Sequence, residues 1–340
     1  MERQELLAEY SEIVKRHGPW TDHNIDLGHG VYTIGSDTVS EKLRRILQIV
    51  ADSTGSRKLQ GLRVLDLGCL EGQYAIELAR QGAETVGIEG REANLAQAEF
   101  AKRALGLDNA VFHHDDIRNV TAARYGEFDV VLCLGVLYHL NAPAVFELVD
   151  NIGSLCRRVA IFDTYISLRS ETAYEHKGRQ FWGRNCLEHD PAALPEERLQ
   201  DLWASLDNTV SMWPTFNSLL NMLIGAGFTT VSQCHAPVEL NKPSDRVTLL
   251  AIKGSRVPIL NMPRMNDLPW PALPENFRPS PSPHNQRFYE FSKRIVSHIP
   301  RQWRRGAKSM LRRLGLKKGA DPWERDWNER YRGRGPTTQG

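Results

Sequence analysis

The stretch VLDLGCLEGQY, residues 64–74, constrains this chain more than any other. An apolar run ending in an acid, Asp66, breaks at Gly68 and is followed by AIELARQG, whose apolar residues recur at helical spacing. Strand, glycine turn and helix in that order make a nucleotide-binding corner. The spacing is D-x-G-x-x-x-G, not G-x-G-x-x-G, and Leu70 occupies the place of a middle glycine. A dinucleotide pyrophosphate wants three glycines and a bare helix N-terminus. An acid at the strand end repels phosphate and suits a ligand with a cationic side.

The chain continues to alternate. LRVLDLG reads as a strand, 73–81 as a helix, ETVGIEG as a strand, and 91–105 as a helix. AVFHHDD is a third strand, FDVVLCLG a fourth, 142–150 a helix, and RRVAIFDTYI a fifth strand. Short, almost continuously apolar strands separated by helices argue for a parallel sheet covered on both faces. WPTFNSLLNMLIGAGF is a further helix, after which TTVSQCH and RVTLLAIKG pair as an antiparallel hairpin. The expected fold is α/β, a doubly wound, mostly parallel seven-stranded sheet with a terminal antiparallel hairpin. A helical, aromatic-rich cap insertion is expected at 165–213.

Four segments follow: an N-terminal helical cap segment (1–55), the main domain (56–255), a Pro-rich linker (256–285) and a basic amphipathic tail (286–340). Eight of the 18 prolines lie between Pro258 and Pro283, a density that favours extended chain. Residues 287–318 hold eleven Lys or Arg against one acid. That segment carries +10 and, with a whole-chain net charge of +2, leaves −8 for the rest. Apolar residues from Phe291 through Ile295, Ile299, Trp303, Ala307, Met310, Leu311 and Leu314 recur near helical spacing, interrupted at Pro300. Such a tail suits an anionic membrane interface; a solvated basic tail or an RNA contact stay open beside it. No apolar run is long enough to span a bilayer. The N-terminus has no apolar signal-like region. The five cysteines lack any C-x-x-C pattern, which fits reduced thiols. A cytoplasmic protein is expected, with the tail as its peripheral contact to the inner membrane face.

The order D-x-G-x-x-x-G, an acid ending strand 2 (Glu89), an acid after strand 3 (Asp116) and the closing hairpin resembles class I S-adenosylmethionine-dependent methyltransferases. FDVVLCLGVLYHL, WPTFNSLLNMLIGAGF and HNIDLGHGVYTIG (23–35) are similar to a bacterial subgroup that includes the tRNA wobble-uridine carboxymethyltransferase and methyltransferases found with glycan-assembly enzymes. The resemblance covers about residues 20–253 and implies S-adenosylmethionine as cofactor. It implies Asp66, Gly68, Cys69, Gly72, Glu89, Gly90, Asp116, Ile117, Leu134 and Gly135 as its binding residues. Glu89 lies 23 residues after Asp66, close to the spacing at which an acid bonds a ribose diol. Asp116, favoured over its neighbour Asp115, is placed to accept from the adenine amino group, with Ile117 against the ring.

Ligands of open α/β sheets sit beyond the carboxyl ends of the strands, which points to CLGVLYHL, residues 133–140. His139 is the natural general base, with a loop-tying hydrogen bond as its structural alternative. Tyr138 is a polar neighbour and Asp163 a second candidate base. HHDD (113–116) is not read as a metal site, because adjacent strand residues point to opposite faces. Tyr165, Tyr174, Phe181, Trp182, Trp203 and Trp213, interleaved with basic residues of the insertion, suit a glycan or small hydroxylated acceptor, the glycan as free sugar or lipid-linked. They also suit stacking on RNA bases, but RNA needs a basic surface and the body is acidic. The expected activity is O-methylation of a hydroxyl. A tRNA wobble-uridine modification and a non-catalytic S-adenosylmethionine-binding protein stand as alternatives. Residues 21–35 are expected to cover the cofactor.

Overall fold

The protein is described from a computed structural model. It describes residues 1–35, 40–56, 58–240 and 242–255, and beyond them 257, 258, 261, 262, 264, 267 and 272–274. Most of the expected linker and all of the expected tail therefore lie outside the described residues. Asn221 on the last helix receives the Leu273 amide and donates to the Leu273 carbonyl, at 2.9 and 2.8 Å.

The chain begins with α1 (Arg3–His17) and α2 (Glu41–Thr54) and enters the sheet at β1 (Arg63–Leu67). The alternation runs α3 (Gln73–Arg80), β2 (Glu84–Glu89), α4 (Glu92–Leu105), β3 (Ala110–His114), α5 (Ala122–Tyr125), β4 (Phe128–Leu134), α6 (Ala144–Leu155) and β5 (Cys156–Tyr165). Then come β6 (Thr172–His176), β7 (Arg179–Leu187), α7 (Pro195–Gln200), β8 (Val210–Pro214), α8 (Phe216–Gly225), β9 (Phe228–Gln233) and β10 (Arg246–Lys253).

Seven strands form one sheet in the order β3-β2-β1-β4-β5-β10-β9. Strands β1 to β5 are parallel, and β10 enters antiparallel between β5 and β9. The order reverses beside β1, so β1 and β4 diverge there and leave a crevice at their carboxyl ends. The apolar runs are buried as a two-sided sheet requires: Val64, Leu65, Leu67, Val130, Val131 and Leu132 are fully enclosed.

The insertion differs from expectation. Instead of a helical cap, β6, β7 and β8 form a three-stranded antiparallel sheet, and α7 is a single short helix. The β6–β7 hairpin turns on Lys177 and Gly178, with φ of 50° and 70°. Two successive positive φ values make the turn whose twist matches the flanking strands. Gly178 adopts it freely, whereas Lys177 gives no sequence signal for it. WPTF likewise divides: Trp213 and Pro214 end β8, and Thr215 caps α8 by accepting the Ser218 amide at 3.2 Å.

Candidate functional site

The glycine turn after β1 owes its shape to three residues with positive φ: Gly68 (63°), Leu70 (51°) and Gly72 (82°). A Cβ on Gly68 would meet Val136 at 2.9 Å, and one on Gly72 would meet Ala98 and Phe112, each at 2.9 Å. Neither position has room for a side chain. Leu70 takes the left-handed conformation without being glycine, at a cost of about 1–2 kcal/mol. Its amide donates to Glu89 Oε2 at 2.9 Å, which holds it there.

Asp66, next to last in β1, is almost fully buried, and its Oδ2 has no hydrogen-bond partner. Burial raises its carboxyl to about 7, against a lowering contribution from the Ala75 amide and a further push from Glu89. An enclosed, unpartnered acceptor at the head of the turn fits a cationic group. Glu89 ends β2, and burial raises it too, partly offset by the Arg91 and Leu70 amides. Each of its oxygens accepts one of those amides, at 2.8 and 2.9 Å, and keeps a second lone pair.

A cleft of about 670 Å³, open to solvent, brings together Gly68, Glu89, Gly90, Asp116, Ile117 and Gly135, with His139 also on its wall. Of the two neighbouring carboxylates, Asp116 lines the cleft, while Asp115 is taken up by Tyr125, Asn119 and Arg124. Asp116 accepts the Arg118 amide and Arg118 Nε, both at 2.8 Å. The cap supplies the facing wall through Leu202 and residues 204–208. Arg91 fastens it by donating to the carbonyls of Leu199 (3.1 Å), Asp201 (2.7 Å), Ala204 (2.9 Å) and Ser205 (3.3 Å). Arg118 reaches Asp207 at 2.7 Å.

Asp66, Cys69, Gly72 and Leu134 are not among the residues on that wall. Cys69 packs its thiol in the core, where burial pushes the thiol up, and its amide donates to the Ile88 carbonyl at 3.0 Å. Leu134 packs beneath the sheet with Val64 and Tyr74. Residues 21–35 contribute nothing to the same wall. They are fastened instead to the glycine turn by Glu71, a fully buried residue that the sequence reading missed. Its carboxylate accepts the Thr21 amide (2.6 Å), the Thr21 hydroxyl (2.9 Å) and the His23 amide (2.9 Å).

At the end of β4, Gly135 (φ 79°) turns the chain and its amide donates to the Asp163 carbonyl at 2.8 Å. His139 follows on a short 3-10 turn, its Nδ1 2.7 Å from Glu188 Oε2. Glu188 lies just beyond β7 and was also missed from sequence. Tyr138 lies off the cleft wall, in an aromatic group: its ring stands edge-on to Tyr165 (4.9 Å between centroids) and Trp213 (5.9 Å), which stack on each other at 4.8 Å. The guanidiniums of Arg246 and Arg184 sit over Tyr165 and Trp213 at 5.1 and 4.5 Å.

Asp163 was expected as a second base, and the structure corrects this. It is fully buried and accepts from Lys242 Nζ, from Arg246 Nε (2.6 Å) and from Thr248 Oγ1 (2.6 Å), with Lys42 Nζ at 3.7 Å. Burial alone would raise its carboxyl, but Lys42, Arg246 and Lys242 hold it far below the usual range. A carboxylate so held takes no proton near neutrality; it anchors Arg246.

Comparison with known proteins bears on this arrangement. A methyltransferase-domain family matches residues 58–179. The chain is 31% identical over 119 residues to a ubiquinone biosynthesis O-methyltransferase of Psychrobacter cryohalolentis, covering 34% of this chain and 46% of that protein. It is 36% identical over 104 residues to a 23S rRNA (uracil(1939)-C(5))-methyltransferase of Aeromonas hydrophila, covering 29% and 22%. These matches span less than half of the curated relatives. Among solved structures, the N-terminal domain of EvdMO1 with SAH bound superposes with a TM-score of 0.57 at 25% identity, covering 74% of this chain and 96% of that one. The matched domain lies over the strands that build the cleft: residues 58–179 match a methyltransferase domain, and the sheet carrying it has the class I S-adenosylmethionine-dependent methyltransferase fold.

Proposed function

We propose that the protein transfers the methyl group of S-adenosylmethionine to a hydroxyl of a sugar or another small hydroxylated acceptor. When bound, the cofactor supplies an electrophilic methyl group on a sulfonium. Asp66 would hold its cationic amino-acid end, Glu89 the ribose diol with its spare lone pairs, and Asp116 the adenine amino group beside Ile117. His139 is the base that takes the acceptor's proton. The observation that carries this reading is the continuity of His139 with the aromatic group. The rings of His139 and Tyr138 lie 4.3 Å apart, and Tyr138 adjoins Tyr165 and Trp213. Aromatic rings with hydrogen-bonding edges suit a sugar ring, and a hydroxyl acceptor requires a base. The O-methyltransferase among the relatives supports an oxygen acceptor. The net −8 outside residues 287–318 disfavours an RNA acceptor.

The test is transfer of label from methyl-labelled S-adenosylmethionine to a panel of methyl glycosides and simple phenols. Label in the oxygen-linked methyl of a product supports the reading, and label found only in added tRNA overturns it. The basic amphipathic segment from Phe291 extends the proposal to lipid-linked acceptors. Co-sedimentation with anionic vesicles that disappears on deleting 286–340 supports that extension, and salt-sensitive binding to tRNA alone removes it.

A further inference from the structure

Glu188 belongs to the cap, yet it touches the base. Its side chain is 7% exposed, and its Oε2 receives both His139 Nδ1 at 2.7 Å and the Ser205 amide at 2.9 Å. Burial pushes its carboxyl up, but the hydrogen bonds from His139 and the Ser205 amide outweigh this and hold it below the usual range. Near neutrality Glu188 is therefore ionised, and an ionised carboxylate only accepts. The hydrogen in the short contact must sit on Nδ1 of His139, which leaves the ring's lone pair on Nε2.

The cap also fixes the backbone that carries this ring. Asn208 Nδ2 donates to the His139 carbonyl at 3.0 Å, and the Met212 amide donates to the Leu140 carbonyl at 2.8 Å. The other charged groups of the cleft are engaged elsewhere: Glu89 by the Arg91 and Leu70 amides, Asp116 and Asp207 by Arg118. Tyr138, against the ring, is kept protonated by burial. Glu188 is thus the charged group that faces His139 among the described residues.

We propose that Glu188 is the positioning residue of the transfer, fixing the Nδ1–H tautomer of His139 so that Nε2 receives the acceptor's proton. The role rests on the reading of His139 as base. As the acceptor oxygen bonds to the methyl carbon, the carbon–sulfur electron pair remains on sulfur and the hydroxyl proton passes to Nε2. His139 then carries hydrogen on both nitrogens, and its positive charge lies against the Glu188 carboxylate. A carboxylate in this place both orients the imidazole and stabilises the imidazolium.

Long-range proton–nitrogen correlation spectra of the full chain test this with neither acceptor nor cofactor added, the His139 signal being identified by its loss in His139→Gln. The expected result is an Nδ1–H tautomer in the wild type. In Glu188→Gln the His139 ring should lose its single tautomer and show a mixture of both, and Glu188→Asp should restore part of the Nδ1–H form. An Nε2–H tautomer in the wild type overturns the proposal. So does an unchanged tautomer in Glu188→Gln that still melts cooperatively. If Glu188→Gln does not fold, the wild-type tautomer decides alone. The expected tautomer and its loss in Glu188→Gln, with no glycoside in the panel methylated, supports the positioning role while removing the sugar acceptor.

Discussion

Asp66→Asn replaces an enclosed carboxyl with a neutral side chain of the same shape, and its effect on stability should depend on pH in an unusual direction. Most carboxylates in folded proteins lose stabilisation on acidification. Asp66 runs the other way, because burial raises its carboxyl from 3.8 to about 7. Between those limits the native state binds a proton that the unfolded chain has released, so wild-type stability falls as pH rises across the window. At about 1.4 kcal/mol per pH unit, the full displacement is worth about 4 kcal/mol at pH 8 and about 1.5 kcal/mol at pH 5. Asn avoids this charging penalty. Its amide nitrogen faces the place where Oδ2 lacks a partner, which adds a constant, pH-independent cost. The difference between variant and wild type should therefore move by about 2.5–3 kcal/mol in favour of Asn from pH 5 to pH 8. Denaturant unfolding of both proteins without cofactor, at several pH values across that range, measures it. Parallel stability curves would show that Asp66 is not charged at the expense of the fold. The same substitution should weaken S-adenosylmethionine binding by about 1–3 kcal/mol, read by calorimetry, so the residue exchanges stability for affinity.

His139→Ala should lower turnover by roughly 10²–10⁴ with little change in cofactor affinity; unaltered turnover in a steady-state assay would place the base elsewhere. Glu71→Ala leaves the Thr21 and His23 amides without their acceptor and should destabilise by on the order of 3 kcal/mol. Limited proteolysis should then cut within residues 20–35, and an unchanged digest would contradict the clamp. Gly72→Ala forces a Cβ into Ala98 and Phe112 at positive φ and should cost about 2–4 kcal/mol in chemical denaturation; a neutral result would mean the turn has slack.

The sheet was legible because its signals are local. Asp66, Gly68 and Gly72 declare a strand, a tight turn and a helix within nine residues, and the burial of β1 and β4 follows from continuous apolar runs. The cap was not legible, since its strands take their identity from pairing. β7 meets β8 across more than twenty intervening residues, and the aromatic residues of 165–213 carry no period that separates a packed helix from a half-buried strand. Glu71 and Glu188 were missed for a related reason. Between two glycines, or after a strand, an acid reads as solvated, and only contacts 50 and 49 residues away make these two into buried acceptors. Asp163 shows the converse. A lone acid at a strand end looks like a base until Lys42, Lys242 and Arg246 arrive from other segments.

Arg91 grips the cap through the carbonyls of Leu199, Asp201, Ala204 and Ser205, and every residue type has a carbonyl. The latch therefore reads the path of the chain and ignores its side chains. Substitutions along 199–205 that keep the backbone's course leave the latch intact, so this wall of the pocket tolerates changes of side chain that Arg91, two residues beyond β2, does not. Leu202 and Ala204 face Glu89 and Asp116 across the same cleft, so a library varied at these two positions should retune what the cleft holds while the four Arg91 bonds keep the cap in place.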